Sequence, residues 1–206
     1  MTSNEEFREA LENYLPSFGL SLSDSQIASC VQHYEMLIKW NRTISLTTLT
    51  DPDEAARFHY CESMFANRFL RDSDAIADLG SGAGFPGIPL ALVNTERPVT
   101  LVELNNKKVI FLKETARAFK LKNVTVLYNK FQNLDLVGKV WITRAIENLE
   151  IILTDLFSNP QPSGLAIFLG EGMREKIEAL DLPAWNLRFV PVPLSKTRQL
   201  LLANRA

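Results

Sequence analysis

A run of alternating glycines between a strand and a helix is the feature that most constrains this chain. The apolar residues of Ala75–Leu79 predict a buried strand, and Ile88–Val93 predict the helix that follows. Between them lies the sequence Asp78-Leu-Gly-Ser-Gly-Ala-Gly-Phe-Pro-Gly87. Glycines in such a turn let the backbone bend sharply and let a ligand approach without side chains in the way. Because open α/β sheets bind ligands where their strands end, the pattern predicts a ligand site here.

The residue at position 85 separates two classes of nucleotide-binding turn. A dinucleotide fingerprint, Gly-x-Gly-x-x-Gly, would require glycine there, whereas this chain has Phe85. The carboxylate of Asp78 would repel a pyrophosphate but helps to hold an ammonium group, which favours a cofactor with an amino-acid end. Glu103, which ends the next predicted strand, is placed to accept the hydroxyls of a ribose. The predicted cofactor is therefore S-adenosylmethionine, and a glycine-rich connector without a ligand is the alternative. The candidate cofactor contacts in this region are Asp78, Gly80, Ser81, Gly82, Gly84, Phe85 and Glu103.

Strand and helix patterns alternate through the rest of the chain, which predicts a mostly parallel sheet covered on both faces. The last two strand-like runs are joined by Ser195–Arg198, which is too short for a crossover helix, so they predict an antiparallel hairpin. The predicted fold class is α/β, a Rossmann-like class I methyltransferase sheet that ends in this hairpin. The further strands are predicted at Val99–Glu103, Val124–Leu127, Val140–Thr143, Leu165–Leu169, Leu187–Leu194 and Gln199–Ala203, and the further helices at Lys107–Phe119 and Glu147–Phe157.

Helical patterns fill the first 70 residues. Ser23 and Gln26 have the spacing of a capping box, and Asp51 followed by Pro52 is a second helix start. We therefore divide the chain into an N-terminal helical extension, residues 1–70, and a methyltransferase domain, residues 71–206. The two parts are expected to form one compact unit.

Charge and composition narrow the function classes. The formal net charge is -2, which gives no global electrostatic case for nucleic acid, although a local basic patch can serve. The two cysteines, Cys30 and Cys61, do not make a disulfide scaffold, and His33 and His59 have no second metal ligand at suitable spacing. No stretch is apolar enough to predict a membrane span. The expectation is a cytoplasmic monomer without a metal.

The extended string Gly80-Ser-Gly-Ala-Gly-Phe-Pro-Gly-Ile-Pro-Leu90 closely resembles the glucose-inhibited division protein B family. The likeness continues in Lys39-Trp-Asn41 with Ile44-x-Leu-Thr47, in His59-x-x-Glu-Ser63 and in Thr143-Arg-Ala145. It implies a bacterial enzyme that methylates N7 of a guanine in small-subunit ribosomal RNA, with the assembled 30S particle as its expected partner. The chain departs from the family pattern at Phe58, where arginine is usual, at Gly170, and at Phe131-Gln132.

Further site residues follow from the resemblance. Phe131 and Gln132 are expected beside the adenine of the cofactor. The side-chain carbonyl of Gln132 can accept a hydrogen bond from the adenine amino group. Arg144, at the end of the fourth strand, is the candidate catalytic residue that orients guanine or the methionine end of the cofactor; a surface ion pair is the alternative. Attack by N7 requires no proton to be removed, so no general base is expected. The candidate RNA-binding residues are Arg42, Arg57, His59 and Arg198.

Three other functions remain open at this point. One is a methyltransferase that acts on a small molecule or a protein, with the N-terminal helices as a lid. Another is a regulator that binds S-adenosylmethionine without catalysis, which the departures at Phe58 and Gly170 leave open. An NAD-dependent enzyme is the third, and Phe85 argues against it.

Overall fold

A seven-stranded sheet forms the centre of the molecule in the computed structural model, which describes residues 2–144 and 149–206. The strand order is β3-β2-β1-β4-β5-β7-β6, and all neighbouring pairs are parallel except those that involve β7. The predicted parallel sheet with a C-terminal antiparallel hairpin is confirmed. The strands are β1 Ile76–Leu79, β2 Val99–Glu103, β3 Val124–Tyr128, β4 Val140–Arg144, β5 Gly164–Leu169, β6 Trp185–Pro191 and β7 Gln199–Arg205.

Eight α-helical segments accompany the strands in the described ranges. Short 3-10 turns lie at Leu15–Phe18, Ala66–Phe69 and Phe131–Asn133, and a π-helical segment lies at Ala55–Cys61. The capping box of Ser23 with Gln26 is present, and Asp51 caps the next helix through the amide of Glu54. The helices are α1 Ser3–Tyr14, α2 Asp24–Asn41, α3 Pro52–Glu54, α4 Glu62–Phe65, α5 Gly87–Val93, α6 Asn106–Ala118, α7 Leu149–Ser158 and α8 Met173–Glu178.

Some element boundaries differ from the sequence prediction. The helix α8 was not predicted, because six residues are too few to show a helical period. The predicted strand Leu187–Leu194 is too long: β6 ends at Pro191, and Leu194 has a left-handed φ of 59° in the following turn. Proline at 191 has no amide hydrogen to continue a ladder. The start of the predicted helix Glu147–Phe157 lies outside the described residues.

The two faces of the sheet carry separate hydrophobic cores. Successive residues of β5 alternate between them: Ala166 and Phe168 pack in the core that includes the N-terminal helices, while Leu165 and Ile167 pack in the other. This alternation follows from the period of two in a strand. The helical extension therefore covers one face of the sheet, and its side chains reach the turn after β1.

Aromatic packing joins the helical extension to that turn. The buried ring of His33 on α2 contacts Phe85 at a centroid distance of 5.8 Å and Tyr60 at 5.7 Å. Tyr60 also meets Phe85 edge-on at 5.3 Å. Because these rings are buried, the position of Phe85 depends on the packing of the N-terminal helices.

Candidate active site

A cavity of about 1130 Å³ opens at the carboxyl ends of β1, β2 and β4. Its walls come from residues 45–49 after α2, the glycine turn at 80–83, residues 102–105 at the end of β2, and residues 129–132 after β3. The volume is ample for a nucleoside joined to an amino acid. The predicted site residues that line it are Gly80, Ser81, Gly82, Phe85, Glu103, Phe131, Gln132, Arg144 and His59.

The glycine turn is held against β2 by backbone hydrogen bonds. The amides of Gly80 and Ser81 both donate to the carbonyl of Val102, at 2.9 and 3.0 Å. Gly82 has a left-handed φ of 56°, and a Cβ added there would meet only the carbonyl oxygen of Gly80, at 3.7 Å. The cavity side of Gly82 is therefore open, as a closely approaching ligand requires.

The third glycine of the motif has a packing role. A Cβ at Gly84 would lie 2.6 Å from Cγ1 of Ile88, and its φ is 92°. Gly84 does not line the cavity. The structure thus places this predicted cofactor contact between the turn and helix α5, where only a hydrogen fits beside Ile88.

Glu103 ties the glycine turn to the end of β2. Its Oε2 accepts the amide of Gly82 at 2.8 Å, and its Oε1 accepts the amides of Leu104 and Asn105, both at 2.7 Å. A carboxylate has about four lone-pair directions, so three are already used. Glu103 lines the cavity with one direction left, and it would accept a second ribose hydroxyl only if one amide were released.

Asp78 lies beneath the turn and does not reach the cavity wall. Its carboxylate is fully buried, and Oδ2 accepts the amide of Gly87 at 3.0 Å. Burial raises the pKa of Asp78 to about 7, against the opposing effect of that amide. Within the two described ranges no group hydrogen-bonds to Oδ1. The sequence predicts that this carboxylate contacts the cofactor, whereas the structure shows it covered by the turn.

Arg144 brings the end of β4 together with the π-helical segment. Its Nη1 donates to the carbonyl of Phe58 and lies 3.9 Å from Oε2 of Glu62, and its Nη2 lies 3.4 Å from Nδ1 of His59. The side chain is 12% exposed and lines the cavity. Burial lowers the pKa of Arg144 to about 10, which leaves it charged at neutral pH. Its guanidinium therefore faces protein groups more than solvent.

His59 is packed and neutral. Its ring stacks on Phe85 with centroids 4.4 Å apart and planes 9° apart, and its Nε2 lies 2.7 Å from Oγ1 of Thr47. Burial, with Arg144 nearby, lowers the pKa of His59 to about 3. Burial also raises the pKa of Glu62, although Arg144 and Arg198 oppose that change.

Asn41 organises the loop that follows α2, a role that the sequence analysis did not assign to it. Asn41 ends α2, and its Oδ1 accepts the amides of Leu46 and Thr47 at 2.8 and 3.0 Å. Its Nδ2 donates to the carbonyl of Thr47 at 2.9 Å. An asparagine just after a helical pattern is the available sequence signal for such a turn. Asn41 thereby holds Thr47 in the cavity wall.

Phe131 and Gln132 lie together in the cavity wall after β3. Phe131 is buried against Trp141, with ring centroids 5.7 Å apart. The amide nitrogen of Gln132 donates to Oδ2 of Asp155 at 3.1 Å, so its amide plane is oriented by α7.

The protein-family comparison identifies the chain. Residues 26–187 match the model of the family described as rRNA small subunit methyltransferase G, or GidB. The chain belongs to this family. That match confirms the family indicated by the turn at 80–90, and it confirms the predicted class of enzyme and cofactor.

Relatives in the GidB family are similar over most of their length. The chain is 36% identical to the ribosomal RNA small subunit methyltransferase G of Stenotrophomonas maltophilia strain K279a, over 90% of this chain and 86% of the relative. It is 34% identical to the protein of the same name from Methylococcus capsulatus, with 84% and 85% covered. The relative from Actinobacillus pleuropneumoniae is 28% identical, with 96% and 98% covered.

Solved structures share the fold of this GidB member at low sequence identity. The METTL16 methyltransferase domain superposes with a TM-score of 0.58 and 12% identity, over 96% of this chain and 91% of that one. The 23S rRNA methyltransferase ErmE has a TM-score of 0.54 and 15% identity, with 70% and 67% covered. These likenesses confirm the class I methyltransferase fold.

The departure from the GidB pattern at Phe58 has a structural counterpart. The guanidinium of Arg57 lies 4.7 Å from the Phe58 ring centroid, and that of Arg198 lies 4.3 Å from it. Arg57 also donates to the carbonyl of Leu194, and Nη2 of Arg198 lies 2.8 Å from Oε1 of Glu62, outside hydrogen-bond geometry. We call Arg57, Phe58 and Arg198 the arginine–phenylalanine cluster.

The predicted RNA-binding residues do not all meet. Arg57 and Arg198 come together in the cluster, and His59 lies in the cavity wall, but none of the cluster residues lines the cavity. Arg42 is exposed at the end of α2 and also lies outside the wall.

Two structural features are absent from residues 2–144 and 149–206. None of the helices there is long and apolar enough to cross a membrane. No group of three or more His, Cys, Asp or Glu side chains is arranged to hold a metal ion in that part of the chain. Both cysteines are buried and free, and burial raises the pKa of Cys30 to about 12.

Proposed function

We propose that this chain transfers a methyl group from S-adenosylmethionine to N7 of a guanine in small-subunit ribosomal RNA. The observation that carries the proposal is the cavity at the ends of β1, β2 and β4, bounded by the glycine turn and Glu103, in a member of the GidB family. Relatives that this chain matches over about 85% of their length bear the name ribosomal RNA small subunit methyltransferase G.

The residues of the cavity suit the parts of the cofactor. The open face of Gly82 and the remaining lone pair of Glu103 suit the ribose, and Phe131 with Gln132 suits the adenine. The orphaned Oδ1 of Asp78 suits the ammonium group once the turn shifts to admit it. A bound cofactor would supply an electrophilic methyl group on a sulfonium.

The chain's contribution to methyl transfer is placement. The N7 lone pair of guanine forms the new carbon–nitrogen bond while the carbon–sulfur bond breaks toward sulfur, so no proton has to leave before attack. His59, with its low pKa and both ring nitrogens near partners, is unsuited to be a general base and suited to hold neighbours in place. Alignment of the reacting atoms then provides the rate enhancement.

The substrate surface follows from the positions of the cations around the site. Lys108 and Lys130 line the cavity, and Arg198 of the arginine–phenylalanine cluster lies beside Glu62, which also neighbours Arg144. With a net charge of -2, long-range attraction to RNA is weak, which favours recognition of a shaped particle. We further propose that the substrate is the assembled 30S particle, and that the enzyme acts in the cytoplasm as a monomer.

Transfer of labelled methyl tests the proposal directly. Small subunits from cells that lack their own enzyme are incubated with the protein and labelled S-adenosylmethionine, and N7-methylguanine is mapped by mass spectrometry. We expect one labelled guanine with the wild type, and loss of cofactor affinity of about tenfold or more in Glu103→Gln. Glu114→Gln, a half-buried position on α6 outside the cavity wall, is the matched control and keeps full affinity.

Two outcomes would replace the proposal. Activity on a metabolite or protein pool with no incorporation into RNA would assign the enzyme to another substrate class. Cofactor binding without turnover on any ribosomal substrate would assign a regulatory role.

A further inference from the structure

Three polar side chains form a chain from the end of β4 into the cavity wall. Arg144 approaches His59 through Nη2 and Nδ1, at 3.4 Å, and His59 approaches Thr47 through Nε2 and Oγ1, at 2.7 Å. All three residues line the cavity. They come from β4, from the π-helical segment and from the loop after α2, so only the folded protein aligns them.

The direction of the hydrogen bonds in this chain is determined by Arg144. A guanidinium has donors and no acceptor, so Nδ1 of His59 must be the acceptor of that contact. In a neutral imidazole the proton is then on Nε2, and Nε2 donates to Oγ1 of Thr47. Burial keeps His59 in the neutral form, with its pKa lowered to about 3. The His59 ring stacks on Phe85, and the carbonyl of Phe58 accepts a hydrogen bond from Arg144, so the imidazole and the guanidinium are both held in this arrangement.

The hydroxyl of Thr47 is thereby left able to act only as a hydrogen-bond donor. Its oxygen also accepts the amide of Leu49 at 3.0 Å, so both lone pairs are used. The hydroxyl hydrogen is the remaining hydrogen-bonding group, and Thr47 lies in the cavity wall. The site therefore presents a donor at Thr47 that cannot also act as an acceptor.

The sheet order indicates whether the cofactor or the target base lies next to this donor. β1 lies between β2 and β4, so Glu103 and Arg144 end strands on opposite sides of the glycine turn. Thr47 is linked to Arg144 through His59, whereas the carboxylate suited to the ribose ends the strand on the other side of β1. A guanine presenting N7 for methylation also presents O6, an acceptor, on the same edge, whereas adenine presents an amino donor there.

We propose that Thr47 donates a hydrogen bond to O6 of the target guanine, and that Arg144 enforces this polarity through His59. Thr47 is then the residue that selects guanine over adenine, and His59 and Arg144 are positioning residues. The inference rests on the proposed function, since it names the group that recognises the base in that reaction.

Variants at Thr47 separate the donor from the fold. Thr47→Val removes the hydroxyl, and Thr47→Ser restores it. We expect kcat/KM on 30S particles to fall about tenfold in Thr47→Val and to return in Thr47→Ser, with the dissociation constant of S-adenosylmethionine within about twofold of wild type. Thr43→Val, an exposed position of the same loop outside the cavity wall, is the matched control.

A base analogue supplies a readout that a purely structural role would not change. Small-subunit RNA that carries 2-aminopurine at the mapped guanine is made by ligation and reconstituted into 30S particles; this base keeps N7 but lacks O6. The wild type should prefer guanine, and the ratio of guanine to 2-aminopurine methylation should fall about tenfold in Thr47→Val. The intrinsic reactivity of N7 is common to both enzymes and cancels from that comparison. If Thr47→Val does not fold, Thr47→Ala takes its place in the same comparison, because it also lacks the hydroxyl.

The results distinguish this inference from the function on which it rests. Methylation of guanine by the wild type with an unchanged ratio in Thr47→Val overturns the role of Thr47 alone. Weakened cofactor binding in Thr47→Val places the hydroxyl at the cofactor and overturns it too. No methylation of RNA by the wild type overturns the proposed function, and the inference with it.

Discussion

Replacement of Asp78 by asparagine is expected to stabilise the protein while it weakens cofactor binding. Asp78 is fully buried, its Oδ2 accepts the amide of Gly87, and no described group bonds to Oδ1. Asparagine has the same shape and its carbonyl can still accept that amide. Its second group is left without a protein partner, as Oδ1 is in the wild type. The main difference is that asparagine cannot ionise.

The pKa of Asp78 determines the size and the sign of the effect. The carboxyl titrates near 7 in the folded protein and at 3.8 ordinarily, so between these values the folded state holds the proton more tightly than the unfolded state. The free energy of unfolding of the wild type therefore falls as pH rises from about 4 to 7. The difference of about three pH units corresponds to about 4 kcal/mol. Asp78→Asn lacks this loss.

Urea unfolding between pH 4 and pH 8 measures the effect. The advantage of Asp78→Asn over wild type should grow by up to about 4 kcal/mol across that range, and remain level above pH 8. Asp181→Asn, at an exposed position, should show no such growth. An advantage that stays constant with pH would refute the reasoning, since it would mean that Asp78 does not titrate in this range. Calorimetry on the same variants should show weaker binding of S-adenosylmethionine by Asp78→Asn only.

Three further perturbations test other parts of the structure. Gly84→Ala should lower the free energy of unfolding by about 2–4 kcal/mol, because Gly84 has a left-handed φ and lies close to Ile88 of α5. Gly170 has open space around it, so Gly170→Ala should change the free energy of unfolding little. Thermal unfolding of both variants measures the difference. Phe58→Ala should raise KM for small subunits and leave cofactor affinity unchanged in filter binding, because two guanidinium groups lose the aromatic ring that both contact. Burial lowers the pKa of both His33 and His59 to about 3. In the Asp78→Asn background, the free energy of unfolding should therefore fall as pH drops from about 6.5 toward 3, by up to about 1.4 kcal/mol per pH unit for each histidine. A urea-unfolding profile that stays flat over this pH range would contradict their neutral state.

Local sequence was sufficient for the framework of the sheet. The strand β2 has the bounds Val99–Glu103 that its apolar run predicts, and β1, β4 and β5 differ by one residue at an end. Such strands can be predicted from the sequence because a strand buried on both faces needs consecutive apolar residues, whichever strands pair with it. The residue at 85 likewise excluded a dinucleotide turn without reference to any distant part of the chain.

Tertiary structure decided what the individual side chains of the site do. Asp78 and Gly84 belong to the motif, yet one is buried beneath the turn and the other packs on Ile88. Thr47, His59 and Arg144 meet from three separate segments, and neither the neutral state of His59 nor the donor at Thr47 follows from their spacing. Spacing along the chain determines the backbone period and the turn. Burial and partners, which determine protonation and hydrogen-bond direction, arise only when distant segments pack together.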